Sequence, residues 1–445
     1  LKIHFNKYGR LLIAYIVPNG SLTSSSQKGQ FMKITDISVN HINPKLAIRN
    51  LEKKVQFRGI DTQTIFKVTA DNGVVGYGDS RNHVTMKAED LDRLTDSSPF
   101  DHINADLPVG LVGALYDLMG KHLEIPAYKL MGQKVRDRVP VAAWTRAASP
   151  EDLSSEIQRA VDEGYMIFKM HTCEYFDVFE QNRAVEDVTP DGFRMHYDFN
   201  HNRTSADVLR IIQHLEQSSV VGVIEDPLVW HDVDGWRRLR EKTSIPLLMH
   251  VPQLGGGPEI MHGCADLYMI GEHGIGMSLR RGFACAEANL STVIQLTGGT
   301  LSKALALHLG AVIPNVSHTV NLDDQYSEDI TGRRIEVADG SSPVPEGPGL
   351  GVEVNDEELV RISANPKTVV PLHIGKLILP GSSICYTMDS PYITRGYPSV
   401  SRLMGFPEGN IRGIRLEIWE DDSSLEWQET YERLEKTGPF IRKES

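Results

Sequence analysis

Residues 220–228 read Val-Val-Gly-Val-Ile-Glu-Asp-Pro-Leu: a short apolar run, then two carboxylates, then a proline. A run apolar on both faces reads as a buried parallel strand. An ionisable side chain at the end of such a run is costly to bury unless it is paired or bound to a metal. Glu225 and Asp226 therefore mark the place where structure gives way to chemistry.

The same pattern recurs on either side. Strand-like stretches at 139–143, 165–170, 193–199, 246–249, 266–270 and 292–296 alternate with helical ones. One helix is announced by Ser149-Pro150-Glu151, an N-cap followed by a proline at the first helical position and an acid in the first turn. Leu153, Ile157, Ala160 and Val161 then form its apolar stripe, and Gly164 ends it. Repeated βα units imply a parallel sheet, open or closed, and six or more in succession favour a closed (β/α) barrel.

In such barrels the chemistry sits where each strand ends. Lys169 and His171, Asp198 and Asn200, Glu225 and Asp226, and His250 all stand at strand ends. Lys169, Asp198, Glu225 and His250 are separated by 29, 27 and 25 residues, about one βα unit each, so they converge on one mouth. Any one of them could cap a helix or pair with a loop instead; four in register are harder to explain that way.

A smaller α+β unit precedes the barrel. Ile34, Ile37 and Val39, then Thr64, Phe66 and Val68, alternate in the strand manner, and Asp71-Asn72-Gly73 is a hairpin turn. From about 106 to 131 the period becomes helical, with Leu111, Leu115, Leu118 and Met119 on one face.

The net charge of −13 argues against nucleic-acid binding, which needs clustered Lys and Arg, but not against anionic substrates, since a metal ion supplies local positive charge. Four dispersed cysteines without a CxxC pair fit a reducing, cytoplasmic setting. In residues 1–31, Lys2, Lys7 and Arg10 precede a seven-residue apolar run (11–17) and a Ser-rich stretch. That run is too short to span a bilayer, so no membrane association is expected. The segment is expected to be a disordered extension with Met32 as the working start; the alternative is a secretion signal. Gly255-Gly256-Gly257 lacks the Lys-Ser/Thr of a phosphate loop and reads as a flexible loop.

From about Met32 to Leu359 the chain resembles the enolase superfamily, near its mandelate racemase branch and its acid sugar dehydratases. The likeness rests on Asp71-Asn72-Gly73-Val74-Val75-Gly76-Tyr77-Gly78, on residues 113–121 (Gly-Ala-Leu-Tyr-Asp-Leu-Met-Gly-Lys), and on Pro126-Ala127-Tyr128-Lys129-Leu130-Met131-Gly132. In the barrel it rests on Phe168-Lys169-Met170-His171, Tyr197-Asp198-Phe199-Asn200 and residues 223–228, and near the end on residues 345–352 (Pro-Glu-Gly-Pro-Gly-Leu-Gly-Val).

The resemblance implies a modified (β/α)8, TIM-type barrel under an N-terminal α+β capping domain. The chain then divides into an extension (1–31), a cap (32–138), a barrel (139–361) and, beyond the resemblance, a C-terminal extension (362–445) expected to pack on the cap or barrel. The resemblance also implies removal of the proton α to a carboxylate, with a divalent metal stabilising the enediolate, and a homo-oligomer acting on a small-molecule carboxylate. Asp198 and Glu225 match the first two metal ligands, Lys169 matches the first lysine of a Lys-x-Lys pair, and His171 stands where the second, usually the base, would be.

The departures lie on the other strands. The third ligand position offers only His250, which with two carboxylates suits Mn²⁺, Fe²⁺ or Zn²⁺ better than the Mg²⁺ usual in the family. In place of the branch's His–Asp pair stand Gln295 and Gly271 or Glu272, with His273 close by as a substitute. Trp144 and Asn200 are further candidates for substrate contact. Together these residues imply a metal-dependent hydro-lyase acting on a sugar acid, with Lys169 and His171 as one acid/base face and Asp198, Glu225 and His250 holding the metal. A racemase or epimerase of the same family, or a degenerate barrel that binds without turnover, are the alternatives.

Overall fold

A computed structural model of the chain describes residues 32–51, 59–173, 175–201, 203–250, 257–387 and 414–443, with the backbone of four short strands, Lys2–Phe5, Leu11–Ala14, Ile393–Thr394 and Tyr397–Pro398. Lys2–Phe5 and Leu11–Ala14 pair as an antiparallel hairpin within a unit of their own. The rest of 1–31, expected to be disordered, and the glycine loop at 251–256 lie outside the described residues.

Eight parallel strands close into a barrel: Arg138–Thr145, Ile167–His171, Arg194–Asp198, Val221–Glu225, Leu247–Met249, Leu267–Ile270, Ser291–Gln295 and Val316–Val320. The last pairs with the first, Thr319 with Val141 and Val320 with Ala142. The eighth strand had no counterpart in the sequence reading. Helices follow the strands, beginning with Pro150–Asp162, whose N-cap Ser149 accepts from Asp152 N at 3.1 Å as the Ser-Pro-Glu signal predicts. Alternate residues along each strand face inward, so Ala142, Trp144, Val223, Leu248, Leu267, Met269, Val293 and Val320 form one buried cluster. Each fully buried Val, Leu or Met there contributes roughly 1.5–3 kcal/mol.

An antiparallel three-stranded sheet, Ile34–Ile42, Gln63–Ala70 and Val75–Arg81, packs on the helix Val109–His122 to form the cap. The Gly76-Tyr77-Gly78 motif has a steric reason: a Cβ at Gly76 would lie 2.2 Å from Ala114 O, and one at Gly78 2.1 Å from Gly110 O. Asp117 on that helix explains two quoted motifs at once. Its buried carboxylate accepts from Tyr77 N at 2.9 Å and from Leu350 N at 2.8 Å, joining the sheet to the Pro-Gly-Leu-Gly turn. Leu46 and Ile60 extend the barrel's interior cluster into the cap, where Tyr326 donates its hydroxyl to Ile60 O at 2.7 Å.

Beyond the barrel, His373–Leu379 and Ser382–Tyr386 pair with Arg415–Glu420 and Phe440–Lys443 in a four-stranded antiparallel sheet. The helix Leu425–Thr437 covers one face through Trp427 and Leu434 against Ile374 and Cys385. The other face, Leu377, Leu379, Ile384 and Ile414, packs on Ala147, Cys173 and Tyr175. Those three residues lie in the loops after the first two barrel strands, just beyond Trp144 and His171. All four cysteines are buried, and among the described residues no helix is long and apolar enough to cross a membrane.

Candidate metal-binding active site

Parallel pairing sets the candidate residues side by side. Lys169 is level with His196, His171 with Asp198, and Asp198 with Glu225. Three successive strands, the second to the fourth, therefore deliver their last inward side chains to the mouth, and His250 follows directly on the fifth.

Lys169 is buried at the centre of this array. Its ammonium lies 2.5 Å from Glu225 Oε2, 3.2 Å from Asp198 Oδ2 and 3.1 Å from Gln295 Oε1, so its three protons meet three acceptors. Burial opposes its charge, but the two carboxylates outweigh burial and raise it above the ordinary lysine range. Burial and the neighbouring Glu225 push Asp198 up to about 6, against the pull of Lys169. For Glu225 burial acts in the same upward direction, but Lys169, the bond from His196 and the close approach of His250 hold it well below the usual carboxylate range.

His171 Nε2 stands 3.4 Å from Asp198 Oδ2, and the Trp144 ring meets the imidazole edge-on with centroids 5.5 Å apart. His250 lies between two acids, Nδ1 2.9 Å from Glu225 Oε1 and Nε2 3.1 Å from Glu272 Oε2. Burial disfavours its charge, yet the two partners raise it to about 10. Gln295 completes the ring, its amide nitrogen 2.9 Å from Glu272 Oε1 and 3.2 Å from His250 Nε2.

The donor set fits a divalent cation. Atoms of Glu225, Asp226 and His250 lie within 4.8 Å of one another. Glu225 Oε1 is buried with no aligned hydrogen-bond donor; the close approach of His250 Nδ1 is off-axis. A buried carboxylate oxygen left open in this way suits a positive ion. Asp226 itself is held by His250 N at 3.0 Å and His201 Nε2 at 2.9 Å. The mouth also holds uncommon backbone: Asn200, His201 and Asp226 take φ of 50°, 60° and 46° directly after the third and fourth strands.

Lys169, His171, Asp198, Glu225, His250, Gln295 and Trp144 thus come together. Asn200 instead turns back on its own strand, its N and Nδ2 donating to Asp198 Oδ1 at 2.9 Å and Asp198 O at 3.3 Å. His273 is exposed on the loop beyond Glu272, and it is Glu272 rather than His273 that reaches His250. The sequence reading singled out neither His196 nor His318, both buried in the barrel interior. A period-two count back from Asp198 would have placed His196 on the inward face.

The family model for Enolase C-terminal domain-like proteins matches residues 152–359. A D-galactonate dehydratase of Variovorax paradoxus (strain S110) is 28% identical over 296 residues, covering 58% of this chain and 73% of the relative. An N-succinyl-L-Arg/Lys racemase of Bacillus cereus is 22% identical over 344 residues, covering 67% of this chain and 89% of the relative. Among solved structures, an enolase of Pseudomonas fluorescens Pf0-1 with bound magnesium, potassium and tartrate superposes with a TM-score of 0.61 at 18% identity, covering 75% of this chain and 92% of the other. With the capped barrel and the family match in agreement, the chain belongs to the enolase superfamily, on its mandelate racemase-like side.

Proposed function

We propose that the chain is a metal-dependent hydro-lyase that removes the proton α to the carboxylate of a sugar acid and expels the β-hydroxyl as water. One observation carries the reading. The group able to take a proton, His171, stands on the cation-binding side of the mouth, whereas the seventh strand offers Gln295, an amide that neither takes nor gives a proton near neutral pH. Dehydration needs one such group: His171 takes the α-proton, then returns it to the departing hydroxyl. Racemisation needs a second base on the opposite face. The dehydratase among the relatives supports the same choice, and the racemase is the reason to test it.

Lys169 keeps its charge while its three protons are engaged, and serves to neutralise Asp198 and Glu225 rather than as the base. Trp144 shields one edge of His171 from water. Glu225 and His250, with Asp226 or Asp198, are the residues that would hold a divalent cation. Mg²⁺ is the family's ion, while an imidazole in the set suits Mn²⁺, Fe²⁺ or Zn²⁺. When bound, the cation supplies charge stabilisation for the enediolate.

The test is α-proton exchange in D₂O, followed by NMR across a library of sugar acids with Mg²⁺ and then Mn²⁺. Exchange with a new keto-acid signal is expected. In Glu225→Gln both exchange and metal content should fall, the exchange by about 100-fold or more. Full activity in Glu225→Gln overturns the site, and an epimer as product moves the reading to a racemase. Silence across the library with either metal bound moves it to a barrel that binds without turnover.

A further inference from the structure

Most of the barrel interior is apolar, as usual for this fold. One line through it is not. Below Glu225 lie His196 on the third strand and His318 on the eighth, 0% and 2% exposed. His196 Nε2 is 2.5 Å from Glu225 Oε2, His196 Nδ1 is 3.0 Å from His318 Nε2, and His318 Nδ1 is 3.0 Å from Ser317 Oγ. Ser317 and His318 line a cavity of about 490 Å³ at the N-terminal ends of the strands, the end of the barrel opposite the mouth.

We propose that His196 and His318 are positioning residues for Glu225, joined to it by a hydrogen-bonded chain that runs in one direction. A carboxylate only accepts, so His196 carries its proton on Nε2. A neutral imidazole has one N–H, which leaves Nδ1 as an acceptor and requires His318 to donate from Nε2. His318 Nδ1 in turn accepts from the Ser317 hydroxyl.

The consequence falls on the carboxylate. Oε2 receives both His196 and Lys169, while Oε1 is left with no aligned donor among Asp226 and His250. Saturating one oxygen from beneath turns the other toward the cation position, as partners behind a metal ligand commonly do. The inference rests on Glu225 belonging to the metal centre.

Two measurements on the full-length protein test it. In metal-free protein with ¹⁵N-labelled histidine at pH 8, the imidazole signal lost in His318→Gln and the one that shifts with it should both report a proton on Nε2 and none on Nδ1. A proton on Nδ1 of either ring overturns the chain. Mn²⁺ affinity, read by calorimetry, should weaken in His318→Leu by roughly 10-fold or more, the usual cost of losing a partner behind a ligand. His318→Gln, which retains a donor at the Nε2 position, should recover most of that loss. Wild-type affinity in His318→Leu overturns the positioning role. If His318→Leu does not fold, His318→Asn, too short to reach His196, takes its place with the same two outcomes. A wild-type protein that binds no divalent ion defeats the proposed function, and the tautomers alone then decide the chain.

Discussion

The two sides of the barrel mouth differ in kind. The second to fifth strands end in Lys169, His171, Asp198, Glu225 and His250, a dense array of ionisable groups in contact with one another. The sixth and seventh end in Glu272 and Gln295, which reach across to His250 and Lys169 and complete their hydrogen bonding. The first side is built to change protonation and charge; the second is built to hold the first in place. A one-sided site suits a reaction in which a single group takes and returns a proton. If the two sides are as unequal as their residues make them, substitutions on one should cost far more than substitutions on the other.

The largest effect is expected at Lys169. Its removal in Lys169→Met leaves Asp198 and Glu225 buried without their shared counter-charge. Breaking a buried ion pair from one side costs about 3–5 kcal/mol, to be read as a lowered urea midpoint. The loss should be smaller at pH 5 than at pH 8. Asp198, already pushed up to about 6, is protonated below that value and then needs no counter-charge. A stable Lys169→Met protein at pH 8 would mean that the charged side does not depend on its central cation.

The next contrast is between His171 and Gln295. His171→Ala should lower α-proton exchange by about 10²–10⁴-fold, the range for a general base, while metal affinity stays near that of the wild type. Gln295→Leu removes its hydrogen bonds with Lys169 and Glu272, worth roughly 0.5–1.5 kcal/mol each, but no group that moves a proton, so exchange should fall by about 10²-fold at most. Equal losses in the two variants would show that the seventh strand takes part in the chemistry, and would favour racemisation.

The same inequality governed what the sequence disclosed. On the second to fifth strands, apolar runs end abruptly in Lys, His, Asp or Glu, so both the barrel and its mouth were legible. The eighth strand, Val-Ser-His-Thr-Val, holds three polar residues in a row between its valines, and its inward His318 is satisfied by His196 rather than exposed to water. No apolar run announced it, and His318 went unread with it. His196 was passed over for a different reason. It sits inside a strand, where a histidine reads as an interruption unless its partner is known, and that partner, Glu225, is 29 residues away. The grouping of Asp226 with Glu225 and His250 depends on the left-handed turn at Asp226, a backbone choice that composition does not specify for an aspartate.

The smallest effect is expected where the cap meets the plainer side. Asp79, at the end of the Gly-Tyr-Gly-Asp run, enters the N-terminus of the helix Thr300–Val312 that follows the seventh strand. It accepts from Gly299 N at 2.5 Å and from the Ser302 hydroxyl. Burial pushes its carboxyl up to about 6, against these bonds. A carboxyl whose folded value lies above its unfolded one stabilises the fold most when protonated. That contribution is complete below about pH 4 and is lost as pH rises through 6. Asp79→Asn keeps an acceptor for Gly299 and a donor for Ser302 but cannot ionise. Its stability relative to wild type should therefore rise between pH 4 and pH 7 by on the order of 1–3 kcal/mol, followed as the difference in urea midpoints. The exchange rate per metal-loaded molecule should stay unchanged, because the seat of the cap on this side reaches no group that moves a proton. A fall in that rate comparable to His171→Ala would mean that the cap's position, rather than the residues of the second strand, sets the activity of the site.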